Sequence, residues 1–227
     1  NVSQVAFQYG TTEAPLLDAT PTLHFRQPLM ERFEAPLDTI PTELVSALRD
    51  EQELHRLREA ASTARVPDRP LVALADGTLI RWMIRGMDNE ALENELIARY
   101  TEYLEEFRAE GLALASYVSL PASTEVVNLL RFVGGDLAAA PPLPTDSVPT
   151  APRLDGLLDR HVLATVLAPG ERSAVFWSAS YIQGEYPTGT DISFFYLKVP
   201  GPDGGELGRI EVPRWVADDQ ALLDRVH

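Results

Sequence analysis

The sequence contains no cysteine, only one lysine and no long hydrophobic run. The absence of cysteine excludes disulfides, thiolate metal sites and cysteine nucleophiles, and it is typical of a reducing compartment. No apolar stretch approaches the roughly 18 residues of a membrane span, and the first residues lack the basic start of a signal peptide. We therefore expect a cytoplasmic protein with no membrane-spanning segment.

Several catalytic motifs are also missing. No Gly-x-x-x-x-Gly-Lys phosphate loop is present, so the chain is not expected to be an ATP-driven motor itself. The histidines His24, His55 and His161 are scattered singly without zinc-ligand spacing, and no serine lies in a Gly-x-Ser-x-Gly elbow. Zinc chemistry and this type of serine hydrolysis are therefore disfavoured.

Positive charge is scarce, and the net charge is −15. This balance argues against a broad basic surface that binds nucleic acid nonspecifically. It does not argue against a nuclease, because a nuclease needs acidic residues at its metal site. With 227 residues and 45% hydrophobic content, the chain can bury a sizeable core, and we expect a single domain over residues 1–227.

Hydrophobic periodicity predicts an alternation of strands and helices. Predicted strands cover residues 5–9, 22–26, 71–75, 112–120, 174–178, 192–199 and 208–212. Predicted helices cover residues 41–64, 89–110 with a cap at Asp88 or Asn89, 123–132, 154–167 and a last segment from about residue 215. Residues 134–152, rich in proline and alanine, are predicted to form a flexible loop within the domain. The order favours an α/β fold with a mixed central sheet flanked by helices.

One apolar run, residues 71–82, is interrupted by Asp76 followed at once by Gly77. A buried strand that ends or bends there would present the Asp76 carboxylate at the edge of a sheet, where carboxylates commonly bind metals. Asp-Gly is also a common hairpin turn, with residues 71–75 and 78–84 as its arms. Both interpretations remain open from this segment alone.

Nearly the whole chain resembles a known family through several segments in a fixed order. The matching segments are residues 5–10, 49–53, 75–79, 111–130, Asp159, 169–173, 192–197 and 209–216. Each segment is weak evidence alone, but their order and spacing together resemble the NurA nucleases.

This resemblance implies an RNase H-like fold and manganese-dependent nuclease activity on DNA ends, with Mg²⁺ as the other candidate ion. It also implies a homodimer and a hexameric HerA-type ATPase partner in the end resection of double-strand breaks. Asp76 falls on the family's second active-site aspartate. The family's glutamate lies on the preceding helix, where Glu53 and Glu59 are the candidates.

Geometry favours Glu53 over Glu59 as the second metal ligand. A helix joined to the next strand by a short loop runs back past that strand, so a residue level with Asp76 lies about ten positions before the helix end. With the helix ending near Ala64, that residue is Glu53, which also borders the apolar face. Glu59 points toward solvent and is kept as the alternate ligand.

Three further residues are candidates for DNA contacts: Arg172, Ser173 and Arg131. Arg172 follows a Pro-Gly-Glu turn, and a guanidinium suits a phosphate. The competing interpretation is a salt bridge from Arg172 to Glu171 or Asp159 that fixes the loop. The strand aromatics are expected to belong to the core more often than to a base-stacking surface.

The family's first aspartate, and a tyrosine and a histidine near its C-terminus, have no counterpart in this chain, and His227 is not assigned a catalytic role. The expectation is therefore a NurA-type domain without its N-terminal and C-terminal motifs. Two alternatives to the nuclease follow. One is a non-catalytic subunit that keeps the fold and docks on the ATPase, and the other is an RNase H-like enzyme of different specificity.

Overall fold

The computed structural model describes residues 2–33, 40–81, 84, 89–134 and 156–227. The strands are β1 (Val2–Ala6), β2 (Leu16–Thr20), β3 (Val72–Asp76), β4 (Ala113–Val118), β5 (Phe176–Trp177), β6 (Ile192–Val199) and β7 (Glu206–Pro213). The helices are α1 (Arg26–Phe33), α2 (Thr42–Ala64), α3 (Glu90–Ala109), α4 (Glu125–Gly134), α5 (Asp159–Val166), α6 (Arg214–Ala217) and α7 (Gln220–Val226).

The central sheet has five strands in the order β3-β4-β7-β6-β5. The pair β3–β4 is parallel, with Asp76 opposite Tyr117, and every other pair in this sheet is antiparallel. The parallel pair is connected through α3, as a parallel connection requires a long crossover. Strands β1 and β2 form a separate antiparallel sheet. The predicted mixed sheet is confirmed.

Helices cover both faces of the central sheet. On one face, Leu48 of α2 and Leu104 of α3 pack in the same core cluster as Ala73 of β3. On the other face, Val216 of α6 and Leu223 of α7 pack together with central-sheet residues. The predicted α/β class with flanking helices is therefore confirmed.

The side chains of strand β6 point alternately to the two faces of the central sheet. Phe194 and Tyr196 pack with Val126 of α4 and Leu163 of α5, whereas Phe195 packs with the cluster of α6 and α7. Successive side chains of a strand point to opposite faces, so helices are needed on both sides to bury this continuous apolar strand. The sheet is accordingly buried on both faces along β6.

The two long helices begin and end where the sequence predicts. Helix α2 starts directly after Pro41, and α3 is capped by Asn89, whose side chain accepts from Leu92 N at 3.0 Å. Gly111, with φ +63°, follows α3 in the left-handed conformation that suits glycine after a helix. In the described part of the chain, every helix is too short or too polar to cross a membrane.

The N-terminal strand predictions are displaced. The first strand is Val2–Ala6 rather than residues 5–9, and the second is Leu16–Thr20. The strand predicted at residues 22–26 is wrong, because Arg26 begins α1 with Pro28 in its first turn. Strand β1 pairs with the earlier apolar segment, Leu16–Thr20, although residues 22–26 also have strand propensity.

Toward the C-terminal half, α5 begins at Asp159, later than the predicted start at residue 154. The predicted loop at 134–152 lies outside the described residues except for Gly134, the last residue of α4. The last predicted helix is observed as two short helices, because Asp219 caps α7 by accepting from Ala221 N and Leu222 N.

Candidate active site at the end of strand β3

Asp76 is the last residue of β3, and its side chain is exposed. Gly77 follows with φ +79°, and its amide donates to Tyr117 O at 3.1 Å. The hairpin interpretation of this Asp-Gly pair is wrong, because β3 pairs in parallel with β4. Asp76 therefore lies at the carboxyl end of a parallel strand, the edge at which α/β sheets commonly bind ligands.

Glu53 lies on α2, which packs against β3, and its side chain is 38% exposed. Its carboxylate is paired with Arg49, whose Nε lies 3.4 Å from Glu53 Oε1. Partial burial raises the pKa of Glu53; Arg49 and Arg81 lower it, whereas the charges of Asp50 and Asp76 raise it further. Glu53 thus lies within electrostatic range of Asp76.

Glu59, the alternate ligand, interacts with its own helix. Its carboxylate accepts from Arg56 Nη1 at 2.8 Å and lies 3.6 Å from His55 Nε2. The side chain is 43% exposed. These contacts are those of a solvent-facing helix charge, as the spacing predicts.

Two residues beside Glu53 were not singled out by the sequence. Arg81 Nη1 lies 3.1 Å from Asp50 Oδ2, and the guanidinium carbon of Arg81 lies 4.9 Å from the ring centroid of Tyr100. Asp50 precedes Glu53 by one helical turn, and Arg81 ends the apolar run after Asp76. We call Asp50, Glu53 and Asp76, together with Arg49 and Arg81, the acidic edge.

The acidic edge provides carboxylate oxygens, which are the ligands that hard divalent cations prefer. Within the ranges that the structure describes, no three His, Asp or Glu side chains form a metal-binding group. Glu53 and Asp76 would therefore supply two carboxylates. That number fits Mg²⁺ or Mn²⁺ sites in which substrate phosphate and water complete the coordination.

Arg172 is distant from the acidic edge along the sheet. It bridges to Leu197 of β6, the fourth strand counted from β3. Its Nη1 donates to Ser173 O at 3.1 Å, and its guanidinium carbon lies 5.6 Å from the Phe195 ring centroid. The carboxylate of Glu171 accepts instead from a backbone amide, and that of Asp159 is fully buried. Neither expected salt bridge is formed by Arg172.

Ser173 and Arg131 also have local partners. The Ser173 hydroxyl donates to Ala174 O at 2.7 Å and accepts from Tyr196 N at 3.0 Å, and the residue is buried. Arg131 Nη1 donates to Asn128 Oδ1 at 3.2 Å within α4. The contacts of Ser173 favour a structural role in the sheet, and the DNA-contact role of these residues stays a prediction.

A second group of charges, to which the sequence analysis assigned no role, lies beside the end of β3; its Arg209 and Glu211 are buried, and Glu125 at its margin is 32% exposed at the side chain. Arg209 Nε donates to Glu211 Oε1 at 2.9 Å, and Arg209 Nη1 donates to Glu125. The Arg209 guanidinium carbon lies 3.7 Å from the ring centroid of Phe194. We call Glu125, Arg209 and Glu211 the buried charge cluster. In the sequence, this cluster is marked by Arg209 and Glu211, two charged residues two positions apart in an otherwise apolar strand segment.

The buried charge cluster is electrically compensated. Burial raises the pKa of Glu125, but Arg209 and the hydrogen bonds from Ser178 and Ala179 outweigh burial, so the pKa is lowered overall. Burial likewise lowers the pKa of Arg209, while Glu211 and Glu125 raise it to a net increase. Arg209 thus compensates both carboxylates, and residues around the cluster donate the remaining hydrogen bonds.

An open cleft of about 650 Å³ lies between the buried charge cluster and the ends of β3 and β4. It is lined by Thr78, Ile80, Val118, Pro121, Ala122, Ser123, Glu125, Ser178, Ala179, Ser180, Arg209 and Glu211. Its lining is mainly apolar and includes the segment that directly follows Asp76-Gly77. The carboxylate of Asp76 and this cleft thus belong to the same end of the sheet.

The fold and the site define an α/β protein with an exposed carboxylate at the carboxyl end of a parallel strand. The model of the NurA domain family matches residues 4–227, essentially the entire chain. The chain therefore belongs to the NurA family, a nuclease family that works on DNA in end processing. No curated protein and no solved structure matches the chain.

Proposed function

We propose that this chain is a Mn²⁺- or Mg²⁺-dependent deoxyribonuclease of DNA end resection, with Asp76 and Glu53 as its metal-holding carboxylates. The observation that supports the proposal is the exposed Asp76 carboxylate at the carboxyl end of β3, the strand against which helix α2 with Glu53 packs. Carboxylates at one end of a sheet attract a divalent cation, because the bound metal compensates their negative charge.

The two carboxylates have complementary roles. Asp76 is fixed by the β3–β4 ladder and would give a rigid ligand position, whereas Glu53 would supply the second ligand from the neighbouring helix. A bound divalent ion supplies an activated water and stabilises the charge that develops on the scissile phosphate. Arg81 is paired with Asp50, so Asp50 is already neutralised by a protein group.

The test of the nuclease proposal is digestion of linear DNA with Mn²⁺. Asp76→Ala should abolish cleavage and leave thermal unfolding cooperative, since an exposed carboxylate contributes little to the fold. Asp224→Ala, which alters an exposed aspartate on α7, is the matched control and should cut normally. Equal cleavage by the unsubstituted protein and Asp76→Ala would contradict the proposal.

We further propose a homodimer that works with a hexameric HerA-type ATPase. With a net charge of −15, the chain alone should bind DNA weakly, so its grip on DNA would depend on a channel between two copies. Digestion of blunt duplex DNA should rise when the cognate ATPase hydrolyses ATP. Equal rates would remove the ATPase from the proposal, and a monomer by light scattering would remove the channel.

A second candidate function is a non-catalytic subunit that docks on the ATPase. It is favoured by the lack of a three-residue metal group in the described ranges. Mn²⁺ binding separates the candidates, because only the nuclease requires it.

The mixed sheet with helices on both faces supports an RNase H-like architecture, so RNA and Holliday-junction substrates should be assayed beside linear DNA. The absence of cysteine supports a cytoplasmic location.

A further inference from the structure

The chain leaves β3 through residues 78–81, which we call the exit segment, and distant side chains bind this segment. The carbonyl of Leu79 accepts from the hydroxyls of Tyr100 and Tyr186, both at 3.0 Å. The amide of Arg81 donates to the Tyr186 hydroxyl at 3.1 Å. Side chains thus satisfy backbone groups that a neighbouring strand would satisfy in a sheet. The path of the exit segment is imposed by the rest of the fold.

Glu211 makes the closest connection between the exit segment and the sheet. Its Oε2 accepts from Thr78 Oγ1 at 2.7 Å and from Leu79 N at 2.8 Å. Its other oxygen accepts from Arg209, and the residue is only 2% exposed. Because both oxygens are engaged and the side chain is buried, its carboxylate has one orientation.

Asp76 is held from both sides. On one side, the β3–β4 ladder aligns Asp76 with Tyr117. On the other side, only Gly77 separates Asp76 from Thr78, which Glu211 holds. The Gly77 amide is bonded to Tyr117 O, so the contacts of Glu211 with Thr78 and Leu79 fix the backbone directly beyond the point where the β4 ladder ends.

We propose that Glu211 is a positioning residue that fixes the orientation of the Asp76 carboxylate through its hydrogen bonds to the exit segment. This inference rests on the proposed metal-dependent nuclease function. Glu211 itself does not touch the metal or the DNA in this scheme. Its role resembles that of groups that orient metal ligands, whose loss typically costs about 10–100-fold in metal affinity or activity.

Two substitutions interrupt the connection between Glu211 and the exit segment, and each removes a different part of it. Thr78→Val removes the hydroxyl that donates to Glu211 and accepts from Ile80 N at 3.0 Å, at nearly constant shape, and it keeps the bond from Leu79 N to Glu211. Glu211→Gln replaces one acceptor oxygen by an NH₂ donor. Because donors surround both oxygens of Glu211, this NH₂ group must point either at the Arg209 guanidinium or at the donors of the exit segment, and both arrangements are unfavourable. Thr78→Ser restores the hydroxyl and is the conservative control.

The test measures Mn²⁺ affinity by titration with electron paramagnetic resonance, together with kcat and KM on linear DNA. Thr78→Val and Glu211→Gln should weaken Mn²⁺ binding by about 10-fold or more and lower kcat with little change in KM. Thr78→Ser should bind Mn²⁺ like the unsubstituted protein. Tyr196→Phe, which removes a buried hydrogen bond to Asp159 in another cluster, is the control for general destabilisation and should bind Mn²⁺ within about 2-fold of normal.

Each outcome bears on a different claim. Normal Mn²⁺ affinity in a folded Thr78→Val protein, with the unsubstituted protein binding Mn²⁺, would overturn the positioning role and leave the nuclease proposal standing. Equal losses in Thr78→Val and Tyr196→Phe would also overturn it, because destabilisation alone would then explain the loss. No Mn²⁺ binding by the unsubstituted protein would contradict the proposed function and, with it, this inference.

Discussion

The acidic edge and the buried charge cluster are two groups of charges at the same end of the sheet, and Glu53 of the first differs from the Arg209–Glu211 pair of the second in burial and in hydrogen bonding. In the buried charge cluster, Arg209 and Glu211 are 7% and 3% exposed at the side chain and are bonded to each other. At the acidic edge, Glu53 is 38% exposed and faces other acids. A buried charge must be compensated by protein groups, whereas a half-exposed acidic group can be compensated by a ligand.

This difference assigns separate roles to the two groups. Substitutions in the buried charge cluster should change the free energy of unfolding, because they leave charges without partners in a dry environment. Substitutions at the acidic edge should change ligand binding more than stability. The stability and the metal response of single variants therefore test whether the two groups are distinct.

The largest effect is expected from Arg209→Met. The substitution leaves the carboxylates of Glu211 and Glu125 without their shared guanidinium, and breaking a buried ion pair in this way costs about 3–5 kcal/mol. Arg108→Met, at a 45% exposed arginine paired with Glu105, should cost about 0–1 kcal/mol. Chemical denaturation measures both. Similar losses would show that the cluster is not the stability element described above.

The next effect concerns Asp76→Asn and metal-linked stability. A ligand that binds only the folded state at ten times its Kd stabilises the protein by about 1.4 kcal/mol. This Mn²⁺-dependent rise in Tm should be absent from Asp76→Asn, while the metal-free Tm stays near that of the unsubstituted protein. An undiminished Mn²⁺ response would remove Asp76 from the metal site.

A smaller and pH-dependent effect is expected from Glu53→Gln. The folded-state pKa of Glu53 is raised, so its ionised form is disfavoured in the folded protein. The stabilising contribution of protonated Glu53 is fully present below the unfolded pKa and is lost as pH rises through the folded pKa. The substitution should therefore raise the metal-free Tm at neutral pH and have no such effect in acid. Solvent screening keeps the gain small at this partly exposed side chain.

Melting curves of Glu53→Gln and the unsubstituted protein across pH, without metal, test this sign. A variant less stable than the unsubstituted protein at neutral pH would show that Glu53 is held as a stabilising ion pair with Arg49. Glu53 would then be compensated by a protein group, as Glu211 is compensated by Arg209 in the buried charge cluster.

The smallest effect is expected from Glu59→Gln. This substitution removes exposed helix pairs with Arg56 and His55, which contribute about 0.5 kcal/mol or less. Stability and Mn²⁺ affinity should both remain nearly normal. A loss of Mn²⁺ affinity larger than that of Glu53→Gln would transfer the ligand role to Glu59.

Local signals in the sequence were sufficient for much of the fold. Helices α2 and α3 follow from apolar spacing, with the proline before α2 and Asn89 before α3 marking their starts. The segment at residues 22–26 failed because its strand propensity is local, whereas the choice of a partner for β1 depends on which segment pairs across the turn.

The candidate site was only partly predictable. Asp76 was identifiable because a charged residue that interrupts an apolar run is unusual and indicates a specific role. Glu211 and Arg209 were not, because their importance depends on contacts with elements far away in sequence, such as the bond from Thr78 to Glu211 across 133 positions. Periodicity records which face a residue occupies but not which distant group it meets.

The span between Thr78 and Glu211 also has a consequence for the order of folding. Strand β3 is synthesised well before β7, so the exit segment has no Glu211 to bind until most of the chain has emerged. Contacts of such long range form late, because the entropy of closing a large loop must be overcome first. A chain that lacks β7 therefore lacks the contacts of Glu211 with the exit segment, and the proposed positioning of Asp76 would be complete only once β7 has joined the sheet.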